Sequence, residues 1–196
     1  SEVGITFIHV THDQEEAMTM ADVIAVMNKG RIEQAGTANE LYDHPKTAFV
    51  AGFLGQSNLI AATLEGADGE KRAFKTHDGV ALSAPQSRVA ATTGKLAIGV
   101  RPEKIWIASH GDQPDDRDAS YRTNRITGVV TSSAYLGVSH EYHVETTGGD
   151  ELIVLVQNNA REMAAAHAVG EQVDLSWEPA HTFVVSDEEG TTGAAA

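Results

Sequence analysis

The chain is 196 residues long, 41% hydrophobic and 21% charged, enough for one full domain and a little more, or for two small ones. Its 28 acidic residues outweigh 14 basic ones, and the net charge of −14 argues against a partner held by phosphate backbone or by anionic lipid headgroups. With no cysteine, disulfides, thiolate metal sites and cysteine nucleophiles are excluded, and no apolar run approaches the roughly 20 residues that span a bilayer.

Gly4-Ile5-Thr6-Phe7-Ile8-His9-Val10 is a β-branched run of the kind buried on both faces of a sheet. Thr11 with Gln14 fits a capping box, and Asp13, Glu15 and Glu16 bring negative charge to a helix start, so a helix is expected to about Asp22. Residues 23–27 read as a second buried strand, Asn28-Lys29-Gly30 as a turn, and residues 31–35 as a returning strand. Thr37 with Glu40 is another capping box, and Pro45 opens a helix over about 46–54. The apolar faces of 5–10 and 23–27 have no evident neighbours in this sequence. They are expected to be poorly supported and to favour dimerisation or exchange.

From Ser57 the texture changes to short strands separated by turns, expected at 59–64, 72–75, 80–83, 96–101, 104–108, 126–133, 140–145, 152–156, 173–177 and 182–185. Such spacing indicates a small all-β barrel or sandwich. The acidic stretch 109–120 reads as a solvated loop, 159–168 as a short helix, and the tail beyond Ser186 as disordered. There is no clean sequence repeat, although a duplicated β-domain is compatible with the pattern.

The block from Thr11-His12-Asp13-Gln14-Glu15-Glu16-Ala17, through Val26-Met27-Asn28-Lys29-Gly30-Arg31-Ile32, to Leu41-Tyr42-Asp43-His44-Pro45 closely resembles the C-terminal end of ATP-binding-cassette importer ATPases. Phe49-Val50-Ala51-Gly52-Phe53-Leu54-Gly55 and Asn58 resemble the connector into their accessory domain. Gly99-Val100-Arg101-Pro102-Glu103, Tyr135-Leu136-Gly137, Val156-Gln157-Asn158 and Trp177-Glu178-Pro179 look like that TOBE/OB-type domain itself. Among importers, the spermidine/putrescine group is the most similar.

The resemblance implies a mainly β fold: an OB-like small β-barrel over 56–186, preceded by a partial α/β segment of a nucleotide-binding domain over 1–55 and followed by a tail over 187–196. It makes His12 the switch histidine, the one catalytic residue present. The parent would use ATP and magnesium, with membrane permease subunits and a second ATPase copy as direct partners and a solute-binding protein as an indirect one. It would sit in the cytoplasm against the inner face of the membrane. No G-x-x-x-x-G-K-[ST] phosphate loop occurs here, and Walker B and signature loops are missing too, so this chain alone is expected neither to hold a cofactor nor to hydrolyse ATP.

Each motif also has a plainer reading. His12 alone would be a helix-cap histidine; its embedding favours the switch role. Arg101-Pro102-Glu103 is either an exposed turn or a regulatory surface where Arg101 forks onto a carboxylate or oxyanion. His140 and His143 are three apart on a strand and point to opposite faces, which disfavours a shared metal ion. Trp106 and Trp177 are expected in a core or domain interface. Two alternatives stand beside the transport reading: a free-standing module binding a small solute or oxyanion, and a nucleic-acid-binding OB domain, which the acidic balance and 6% aromatic content make the weakest.

Overall fold

The computed structural model describes residues 4–112, 121–158 and 166–187. The short helix expected from 159 falls mostly outside these residues, as do most of the acidic stretch and the tail from 188.

The first unit is small. Helix α1 (Gln14–Met20) precedes a hairpin of β1 (Ile24–Asn28) and β2 (Arg31–Gly36), then α2 (Ala38–Asp43) and α3 (Ala48–Phe53). Lys29 and Gly30 both take positive φ, 47° and 78°, the requirement of a tight two-residue hairpin turn whose twist matches the strands. The Thr37–Glu40 capping box forms as expected, Glu40 N–H donating to Thr37 Oγ1 and Thr37 N–H to Glu40 Oε2. Ile24, Val26, Leu41, Val50 and Leu54 bury one face of this unit, with Ala17 and Met18 of α1 against it.

Two expectations are corrected. Residues 4–10 form no strand: they run unpaired, with Phe7 85% and Ile8 92% exposed, because no described strand lies beside them to complete a ladder. The first cap is Asp13, not Thr11. Its carboxylate accepts from Glu16 N–H at 3.0 Å, while Thr11 Oγ1 takes the Asp13 N–H, which leaves the Gln14 amide for other use.

All ten strands expected after Ser57 are present, as β3 (Asn58–Asp68), β4 (Lys71–Thr76), β5 (Ala81–Pro85), β6 (Leu96–Val100), β7 (Trp106–Ser109), β8 (Asn124–Tyr135), β9 (Ser139–Thr146), β10 (Glu151–Gln157), β11 (Gln172–Trp177) and β12 (Phe183–Ser186). They build two antiparallel five-stranded sheets, ordered β12-β6-β3-β4-β5 and β7-β11-β8-β9-β10. The fold is mainly β.

The sheet order reveals the duplication that the sequence leaves implicit. β3–β7 and β8–β12 are equivalent runs of five strands, and each run surrenders its last strand to the other's sheet: β7 pairs β11, and β12 pairs β6. Both exchanges follow a proline-led single turn, Pro102–Lys104 and Pro179–His181. Side-chain clasps repeat as well. Asn58, opening β3, bonds both main-chain groups of Ile153 in β10 at 2.7 Å, and Asn124, opening β8, bonds both of Ser83 in β5 at 2.8 Å. Between the sheets lies one continuous core that includes Ile60, Phe74, Ile98, Val130, Val154, Leu175 and Trp177.

β6 is buried along its whole length because the first unit packs on its outer side. Ala51 of α3 joins Ala97, Phe183 and Val185 in a second cluster, and the Phe183 ring fills the space over Gly99, its partner across the ladder. A Cβ at Gly99 would fall 1.9 Å from that ring.

The exchanged strand β7 is also pinned by charge. Glu171, just before β11, accepts from Ser109 Oγ of β7 at 2.6 Å, meets His167 Nδ1 at 2.8 Å and accepts from Ala168 N–H at 2.8 Å. The Ser109 hydroxyl, then the His167 imidazole and the Ala168 amide, hold its carboxyl down to about 2. A carboxyl depressed in the folded state contributes stability that is complete above its ordinary value of 4.5 and is lost as pH falls from there toward about 2. Glu171→Gln, which keeps the acceptor but cannot titrate, is expected to flatten the acid-unfolding profile in that window. An unchanged profile would remove Glu171 as the source.

Candidate functional site

His12 ends the unpaired segment and stands exposed two residues before α1, in the loop that Thr11 and Asp13 shape. Helix α1 carries no fully buried residue, so its first turn is held by few contacts. His9 is exposed, its Nε2 3.2 Å from Glu16 Oε2. The strongest tether of the turn is polar: the Gln14 side-chain oxygen accepts the Gly55 N–H at 3.0 Å, bringing the helix start onto the connector between the two units. Gly55 has φ +95°, a conformation that turns its amide toward Gln14 and that only glycine adopts freely.

Arg101 is not a surface residue. It leaves the end of β6 inward and is only 3% exposed, so the expected fork onto a carboxylate or oxyanion does not occur. Its Nη1 donates to the carbonyls of Ala51 at 2.8 Å, Gly55 at 3.2 Å and Gln56 at 3.2 Å, and also to Ser57 Oγ; Nη2 donates to Tyr42 O at 2.9 Å. The guanidinium carbon lies over the Tyr42 ring, 3.9 Å from its centre. Among the described residues no carboxylate pairs with it directly. Instead the last carbonyls of α2 and α3 converge on it, the groups a helix end leaves without partners. Burial pulls the guanidinium below its ordinary value, opposed by Tyr42 and by Glu103 and Asp43.

Glu103 does lie at the surface. It accepts the Tyr42 hydroxyl at 2.8 Å, and burial, then this bond to a carboxylate and its charge, push the Tyr42 phenol up to about 12. Glu103 also lines a groove of about 330 Å³ with Lys104, Trp106, Leu155 and Gln157, where the end strands β7 and β10 of one sheet face each other. Trp177 is fully buried, its indole N–H donating to Thr182. Trp106 departs from the core expectation: it is 48% exposed on an end strand, under the Arg122 guanidinium at 3.9 Å.

His140 and His143 take opposite faces as the alternation requires. His140 stacks on Tyr142 and meets Tyr135 at a tilt, and His143 lies between Glu141 at 3.2 Å and Glu151 at 2.6 Å. Gln14, Tyr42 and the connector carbonyls were not singled out as a site by sequence reading. A glycine between a helix and a strand, at Gly55, is the one local signal that marks the spot.

Within the two interlocked five-stranded sheets, residues 98–185 match the family model of the TOBE domain. Along almost its whole length the chain is similar to ATP-binding subunits of importers. It is 39% identical over 190 residues to the spermidine/putrescine import ATP-binding protein PotA of Acidothermus cellulolyticus, covering 97% of this chain and 48% of that protein. With the protein of the same name from Thermobifida fusca it shares 42% over 189 residues, covering 94% and 46%. The chain thus spans about half the length of the curated relatives it matches. In structure, the cytoplasmic molybdate-binding protein ModG superimposes with a TM-score of 0.51 at 17% identity, covering 66% of this chain and 95% of that one, which shows the shared β-fold.

Proposed function

We propose that this chain is the C-terminal portion of the ATP-binding subunit of an ATP-driven polyamine importer. The observation that carries this is 39% identity over 97% of the chain to a spermidine/putrescine import ATP-binding protein, across both units. In this reading the TOBE domain is the regulatory and dimerising part of a subunit that works in pairs beneath membrane permease subunits, with a solute-binding protein delivering the polyamine. No helix among the described residues is long and apolar enough to cross a membrane itself.

His12 is the switch histidine in this proposal. An exposed imidazole ahead of a helix start can hydrogen-bond a γ-phosphate oxygen and the attacking water, ordering one against the other. ATP and its magnesium ion supply the reacting phosphoryl group and its charge neutralisation. The residues of this chain do not form their cradle: no glycine-rich phosphate loop occurs in the sequence, and His12 is the one matching contact.

In the complete protein with permease and binding protein in vesicles, spermidine-loaded binding protein is expected to stimulate ATP turnover. His12→Ala should lower that turnover about tenfold or more, the worth of a hydrogen bond to a charged reacting group. Stimulation by sugar-loaded but not polyamine-loaded binding protein overturns the substrate class. Micromolar binding of magnesium-ATP to the 196-residue chain alone, seen in calorimetry, overturns the incomplete site.

A further inference from the structure

We infer that Gln14 and Arg101 are positioning residues for His12, forming one link through Gly55 by which the β-domain sets the place of the histidine loop. The inference rests on the reading of His12 given above. Its physical basis is a short relay of bonds. Gly55 N–H donates to Gln14 Oε1 at 3.0 Å, and Gly55 O accepts from Arg101 Nη1 at 3.2 Å. The two faces of one peptide segment are therefore held by two different units: Gln14 is the first residue of α1, two after His12, and Arg101 is rooted at the end of β6.

Little else fixes the histidine loop. Residues 4–10 join no ladder, and among the described residues α1 packs through the partly buried Ala17 and Met18, with His9 Nε2 3.2 Å from Glu16 Oε2. Arg101, by contrast, is immobilised. Its fork engages Tyr42 O with one nitrogen and Ala51 O with the other, so it cannot move without α2 and α3. A shift of the barrel against the first unit must break this fork or drag Gly55. In the second case Gln14 follows, and so does the loop that begins α1. The positive φ at Gly55 allows one residue to face both ways.

The test uses the complete protein, four single variants and one double variant. Gln14→Met removes the acceptor, Gln14→Glu keeps one, Arg101→Lys keeps the charge but not the fork, and His12→Ala gauges the histidine itself. Gln14→Met and Arg101→Lys are each expected to lower kcat about threefold to tenfold with KM for ATP within about twofold. Gln14→Glu should restore kcat to within about twofold, and Gln14→Met with Arg101→Lys should be no worse than the poorer single variant.

A Gln14→Met kcat equal to wild type while His12→Ala is impaired overturns the link and leaves the switch reading standing. A double variant whose loss is the product of the two single losses also overturns it. If His12→Ala itself is unimpaired, the switch reading falls, and amide exchange in the 196-residue chain decides the mechanical link separately. Arg101→Lys should speed exchange at Gly55 and at the first-turn amides of Glu16 and Ala17 together. Faster exchange at Gly55 alone ends the link at the connector and overturns it.

Discussion

Arg101→Met is expected to destabilise the chain by about 3–5 kcal/mol, read as a fall in urea midpoint with an unchanged slope. Methionine fills much of the space, so the cost is polar. Without the guanidinium, the carbonyls of Tyr42, Ala51, Gly55 and Gln56 lose their shared donor at a half-buried junction, where Ala51 O keeps only the Ser57 hydroxyl. Each bond to a charged donor is worth roughly 1.5–3 kcal/mol, and the guanidinium's own desolvation offsets part of the total. The Tyr42 ring also loses its stacked cation. Near-wild-type stability, within about 1 kcal/mol, would mean that desolvation cancels the whole set and that Arg101 serves geometry alone.

The paired asparagines should show the next largest effect. Asn58→Ala and Asn124→Ala each break a two-way clasp on the middle of a strand in the opposite sheet, and each takes the side-chain partner from a half-buried N–H and C=O. The expected loss is about 2–3 kcal/mol apiece by thermal or urea unfolding. Asn124→Ala should be the more costly, because its amide also donates to Thr182 Oγ1 at 2.9 Å, the same hydroxyl that takes the Trp177 indole N–H at 3.0 Å. A loss below about 1 kcal/mol for both would show that the sheets are held by apolar packing without the clasps.

The barrel strands were legible because alternation between turn residues is a local signal. Val173-Asp174-Leu175-Ser176-Trp177 shows its buried face by itself. Residues 4–10 carry a β-branched strand signal and form no strand, since a strand also needs a neighbour to complete its ladder. Arg101 was misread for a related reason. Its partners are Tyr42 and residues 51–57, far back in the chain, and nothing around Pro102 announces them. Gly99-Val100-Arg101-Pro102 and Ser176-Trp177-Glu178-Pro179 are recognisably parallel once the sheets are seen, yet no local rule says that the strands after the two prolines trade places.

That exchange has a bearing on how the chain is made. β6 emerges from the ribosome well before β12, which must lie beside it, and β7–β11 come between. The first sheet therefore waits, one edge open, until nearly all the described residues have been synthesised. The α3 docking cluster waits with it, because Phe183 and Val185 are its late half. The two units thus close at almost the same moment, and a chain cut short before Thr182 would lose the seating of its first unit along with its last strand.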